Sequence, residues 1–163
     1  RPRRWRRPKD SPQTLPFDLP IGLAMALPYT YERRVRYREC DPMGVVYHTV
    51  YLDYFEEART EALRHMGVRY RDLEAGGIIM PVVHVEMEYH ASAHYDDLLA
   101  IDVQFAQPPS VRVPIEYVVR HVGADDVLTT GHTTLCFMDA EQRRPTRPPR
   151  AVRQAFAAGL DPS

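Results

Sequence analysis

Cys40-Asp41-Pro42-Met43-Gly44-Val45-Val46-Tyr47-His48 runs without a break into Thr49–Met66, the most strongly patterned stretch of the chain. From Thr49 onward, Tyr51, Phe55, Ala58, Ala62 and Met66 recur at helical spacing, and Leu52 and Leu63 widen the stripe. Asp53, Glu56 and Glu57 fall in the early turns, Arg64 and His65 in the last, and Gly67 is placed as a stop. The charges thus complement the helix dipole at both ends. Ahead of this helix, Asp41-Pro42 and Gly44 mark a tight turn. A helix start offers unpaired N–H groups and a partial positive charge. A carboxylate on a turn beside such an end is suited to attack on a carbonyl carbon.

On the N-terminal side, Tyr29–Arg38 alternates, with Tyr29, Tyr31, Arg33, Val35 and Tyr37 on one face, and reads as a first strand of mixed character. Glu39–Gly44 reads as the turn. Beyond the helix, Tyr70–Ala75 adds a short second helix before Gly76-Gly77. Ile78–His90, Leu98–Gln107, Val111–His121 and Val127–Met138 then alternate as strands. Pro108-Pro109-Ser110 and Gly123–Asp126 separate the last three into an antiparallel meander. Arg143–Arg150 is rich in Pro and Arg, and Ala151–Ala158 predicts a terminal helical turn ending at Gly159. One helix with an apolar face against one sheet with an apolar face is a two-layer α+β domain.

At 163 residues, with 44% apolar and 26% charged residues, the chain is of a size and composition for one globular domain. The net charge of -1 gives no general reason to bind nucleic acid. The charge is uneven, since Arg1, Arg3, Arg4, Arg6, Arg7 and Lys9 crowd residues 1–10. Residues 1–24 read as a basic extension, Met25 resembles a native start, 25–150 form the domain and 151–163 a tail. Leu15–Leu27 is broken by Pro16, Asp18 and Pro20 and is a poor secretion signal. No apolar run reaches membrane-spanning length. Cys40 and Cys136, the only cysteines, are far apart and outside any CxxC pattern, which fits a reducing cytoplasm.

Asp41 before Pro and near Gly is an ordinary turn former as well as a candidate base. His48 is a second polar group at the helix start, and its imidazole suits acid–base work near neutral pH. Tyr47 reads as a wall of the site, Tyr51 and Tyr54 as packing residues with polar tips. Glu56 lies two turns past His48, while Glu57 and Glu61 read as a solvated face. The row His84, Glu86, Glu88, His90 stands along one extended strand, where ligands do not converge, so no metal site is expected. The Gly-x-Ser-x-Gly elbow of serine hydrolases is missing from the sequence.

Asp41-Pro42-Met43-Gly44-Val45-Val46-Tyr47 resembles the D-x-x-G-x-V-[YFW] signature of the 4-hydroxybenzoyl-CoA thioesterase family. Tyr47-His48, Tyr51 and Glu56–Arg59 are similar to its branch of acyl-CoA thioesterases from bacterial Tol–Pal clusters. A second block, Tyr89-His90-Ala91-Ser92-Ala93-His94-Tyr95-Asp96-Asp97-Leu98, resembles that branch's Y-x-x-P-A-x-Y-D-D-x-L, with Ser92 where proline is usual. The resemblance covers about Tyr29 to Pro149.

The resemblance implies a hotdog fold, in which a five-stranded antiparallel sheet wraps one long helix. It implies hydrolysis of acyl-CoA, with Asp41 as nucleophile or general base, the His48 N–H as oxyanion donor and Gly44 as the turn glycine. No cofactor is implied, since coenzyme A belongs to the substrate. Family members form dimers whose sheets join edge to edge, often paired into tetramers, with active sites at the interface. Coenzyme A phosphates call for cations. The turn that often carries Arg or Lys in the family is Pro108-Pro109-Ser110 here, leaving Arg112 nearest, and Arg143, Arg144 and Arg147 match its other basic region. An acyl carrier protein is the alternative thiol carrier. The alternative activities are a hotdog dehydratase on hydroxyacyl thioesters and a non-catalytic thioester-binding scaffold.

Overall fold

A computed structural model describes residues 29–105 and 107–158; the expectations for residues 1–24, Met25 and Gly159 lie outside them. The elements in order are β1 (Tyr29–Arg34), a 3-10 turn (Tyr37–Glu39), α1 (Val50–His65), α2 (Tyr70–Ala75), β2 (Ile78–Ile79) and β3 (Val82–Tyr89). There follow β4 (Leu98–Phe105), β5 (Arg112–His121), β6 (Val127–Cys136), β7 (Met138–Asp139) and α3 (Arg150–Ala158). Five strands form one antiparallel sheet in the order β1-β4-β5-β6-β3, so among the described residues β1 and β3 are its edges. The meander of the last three long strands is present as expected, and α1 lies against the sheet.

Alternation along the strands builds the core. Leu99, Ile101, Val103 and Phe105 of β4 and Val113, Ile115, Tyr117 and Val119 of β5 are buried against Tyr51, Tyr54, Phe55, Ala58, Ala62 and Leu63 of α1. Burial of a side chain such as Phe55 contributes about 1.5–3 kcal/mol. One row across the sheet reads Val103, Tyr117, Gly131, Met87. Phe55 of α1 packs on that row, stacked on Tyr117 with ring centroids 4.2 Å apart and 13° between planes. A Cβ on Gly131 would overlap the Phe55 ring, so the absent side chain makes room for the helix.

Beyond shifts of one or two residues at element ends, four boundaries differ from the sequence reading, one being the run Val127–Met138, which breaks at Phe137 into β6 and β7. β1 ends at Arg34, because the chain turns inward at buried Val35 and tightens into the 3-10 turn. The run Ile78–His90 is cut at Met80-Pro81, where proline lacks the N–H a ladder needs, and the short piece β2 pairs with β7 instead. The terminal turn is a full helix, α3, which buries Val152 and Phe156 and sets Phe156 edge-on to Phe105 at 5.0 Å. No helix among the described residues is long and apolar enough to cross a membrane. Cys40 and Cys136 are free thiols.

Candidate active site

The turn ahead of α1 is a small hairpin. Cys40 bridges Val46, the Asp41 N–H donates to the Val45 carbonyl at 2.9 Å, and the Gly44 N–H donates to the Asp41 carbonyl at 2.9 Å. Asp, Pro and Gly at the first, second and fourth positions suit a type I turn. Gly44 has φ +79, and nothing lies within 4 Å of where its Cβ would be. Its requirement is therefore conformational: a left-handed residue closes the three-residue loop. Asp41 is half-buried; its Oδ1 accepts the Met43 N–H at 2.8 Å, and its Oδ2 has no partner among the described residues.

The chain then enters α1 with its peptide planes fixed. The Tyr47 N–H donates to the Glu39 carbonyl at 2.9 Å, and the Tyr47 carbonyl accepts the Val50 N–H at 2.9 Å. The peptide between Tyr47 and His48 is thus held by its carbonyl, while its N–H, that of His48, has no acceptor among the described residues. The Tyr89 hydroxyl donates to the His48 carbonyl at 2.8 Å and so holds the next peptide as well. The helix begins at Val50, two residues past His48, with Thr49 as the flanking residue. Tyr47 and His48 are exposed, their rings 4.3 Å apart between centroids.

The two sequence blocks, more than forty residues apart, touch. The Val46 N–H donates to the Ala93 carbonyl at 2.9 Å, and Val45 bridges His94. Asp97 fixes the second block, its Oδ2 accepting from the His94 N–H at 2.7 Å and lying 3.0 Å from Nε2 of His121. Partial burial works to raise the Asp97 pKa, but the hydrogen bonds from His121 and the His94 N–H, with the charge of both rings, outweigh it and hold the carboxyl below its ordinary range.

The structure therefore brings together Asp41, Gly44, Tyr47 and His48. It does not bring the candidate cations to them within one chain. The hairpin abuts Ala93, just past the end of β3. Arg112 pairs with Cys136, beside the start of β3, and Arg143, Arg144 and Arg147 are exposed just beyond β7 at that same end. Eight residues of strand separate the two ends, about 25 Å at the usual rise. Glu56 is exposed on α1, about 12 Å along the axis from His48. No group of three His, Cys, Asp or Glu among the described residues is placed to hold a metal ion.

A buried ion pair beside the hairpin was not foreseen from the sequence. Glu39, read as part of a turn, is buried and pairs with buried Arg33 at 2.6 Å; Glu57, read as solvated, binds the same guanidinium at 2.7 Å. The signal was an Arg at an inward position of the first strand, with an acid six residues on.

Residues 35–156 match the family model described as the thioesterase-like superfamily. The candidate acyl-CoA thioesterase YneP of Bacillus subtilis is 39% identical over 125 residues, covering 77% of this chain and 87% of that one. The acyl-CoA thioester hydrolase YbgC of Escherichia coli O157:H7 is 31% identical over 125 residues, covering 76% of this chain and 91% of that one. Among solved structures, the DHNA-CoA thioesterase of Staphylococcus aureus superposes with a TM-score of 0.75 at 28% identity, over 80% of this chain and 89% of that one. With its five-stranded sheet around one helix, and its paired sequence blocks meeting at one hairpin, this hotdog-fold chain belongs to the thioesterase-like superfamily.

Proposed function

We propose that the protein is a cytoplasmic acyl-CoA thioesterase in which Asp41 is the general base or nucleophile and the His48 N–H receives the oxyanion. The observation that carries this reading is the pinned hairpin, which holds the Asp41 acid two residues after Glu39 and, one residue after the Tyr47 N–H that donates to Glu39, the His48 N–H with no acceptor among the described residues. An oxygen, from water activated by Asp41 or from Asp41 itself, bonds to the thioester carbonyl carbon. The carbonyl electrons move to oxygen, then return as the C–S bond breaks, and the coenzyme A thiolate leaves and takes up a proton. With Asp41 as nucleophile, water then cleaves the acyl-enzyme anhydride to the free acid. A preorganised donor at the oxyanion typically lowers the barrier by about 3–4 kcal/mol. The thioester is already activated, so the chemistry calls on no cofactor. Tyr47 walls the site, and Glu56 meets the thioester arm or the interface.

The Arg residues at the far end enter through a second copy. β3 is an edge strand with Val82, Val83, Val85 and Tyr89 exposed. Pairing two β3 edges antiparallel reverses the strand, so the partner's β3 start meets this chain's hairpin. Arg112, Arg143, Arg144 and Arg147 of the partner subunit then supply coenzyme A phosphate contacts in trans, in a dimer or a tetramer built from dimers.

The test is thiol release from aliphatic and aromatic acyl-CoAs and from acyl carrier protein thioesters. Free coenzyme A with the free acid is expected. Tight binding without thiol release would favour a scaffold; loss of water from a hydroxyacyl-CoA with its thioester intact would favour a dehydratase.

A further inference from the structure

Glu39, two residues before Asp41, accepts four hydrogen bonds. Its Oε1 accepts from Nη2 of Arg33 at 2.6 Å, and its Oε2 accepts the Arg36 N–H at 2.8 Å and the Tyr54 hydroxyl at 2.9 Å. Its backbone carbonyl accepts the Tyr47 N–H at 2.9 Å. One residue thereby ties β1, the 3-10 turn, the second turn of α1 and the residue preceding His48. Burial, reinforced by the Glu39 hydrogen bond and charge, pushes the Tyr54 phenol far above its ordinary pKa, so it remains a donor. The Arg33 guanidinium also lies 4.1 Å from the Tyr54 ring centroid and binds Glu57 at its other side.

A buried ion pair is a weak stabiliser, because desolvating two charges offsets most of their attraction. Its directional hydrogen bonds do fix geometry. Nothing apolar of equal size would hold the Glu39 backbone, and the segment Glu39-Cys40-Asp41 leaves that anchor at one end while Tyr47-His48 leaves it at the other.

We infer that Glu39 is a positioning residue, which sets the Asp41 carboxylate against the His48 N–H through the Arg33–Glu39–Tyr54 network. This rests on the thioesterase reading. Misplacing a reacting group by about 1 Å can cost about 100-fold in rate. Glu39→Gln is therefore expected to lower kcat by about 100-fold while KM is unchanged. Glu57→Gln, which shares Arg33 but not the hairpin, keeps the wild-type kcat. Amide exchange in Glu39→Gln is expected to show lost protection at Tyr47 with core amides unchanged. Should Glu39→Gln fail to fold, Tyr54→Phe removes one donor and leaves the ring in place; a lower kcat at constant KM is expected. Wild-type kcat in a folded Glu39→Gln, or in Tyr54→Phe where that is the variant that folds, overturns the inference. If the wild-type protein cleaves no thioester, the functional reading fails, and retained Tyr47 protection in Glu39→Gln overturns the tether on its own.

Discussion

At the residue scale, short-range rules place the candidate reactive groups and longer-range contacts hold them. The Asp41 turn follows from Asp, Pro and Gly at fixed offsets, and these were readable in the sequence. Its anchoring was not, since Arg33, Glu39, Tyr54 and Tyr89 reach it from separate elements and each looks ordinary alone. Asp97 gives a pH test of the second block. Its pKa is lowered in the folded state, so its stabilising contribution is present above the unfolded value of about 4 and is lost as pH falls through the lower folded value. Asp97→Asn is expected to be less stable than wild type near pH 7, with the gap closing in acid. Urea midpoints at pH 7 and below pH 4 measure it; a gap that widens in acid would contradict the assignment.

At the element scale, the helix and the meander were legible because their periods are clean. α1 was expected over Thr49–Met66 and spans Val50–His65. The errors fall where proline or a tertiary contact overrides a local pattern, at Pro81 and at Val35. The contact between α1 and the sheet depends on Gly131, which was unremarkable in the sequence because its significance lies in the Phe55 ring opposite. Phe55 is fully buried and stacked, so it has no free direction in which to yield. Gly131→Ala is therefore expected to cost about 1–3 kcal/mol by overpacking, read as a lower denaturation midpoint with unchanged m. A midpoint at the wild-type value would mean that the helix can lift without loss.

At the scale of the whole molecule, one chain carries the hairpin and the candidate cations at opposite ends of β3, and the proposed twofold pairing of that edge would bring them together. A lysine on an edge strand opposes such pairing. Val85→Lys is expected to shift the protein to monomer by light scattering and to weaken acyl-CoA binding; an unchanged assembly would place the interface elsewhere. The central claim remains that Asp41 performs the chemistry, and its measurement is the rate of thiol release from a hydrolysed acyl-CoA by wild type and by Asp41→Asn under saturating substrate. Removing a general base or nucleophile is expected to lower kcat by about 100-fold to 10,000-fold, with the variant folded as judged by its melting temperature. A folded Asp41→Asn that turns over at the wild-type rate would contradict the account.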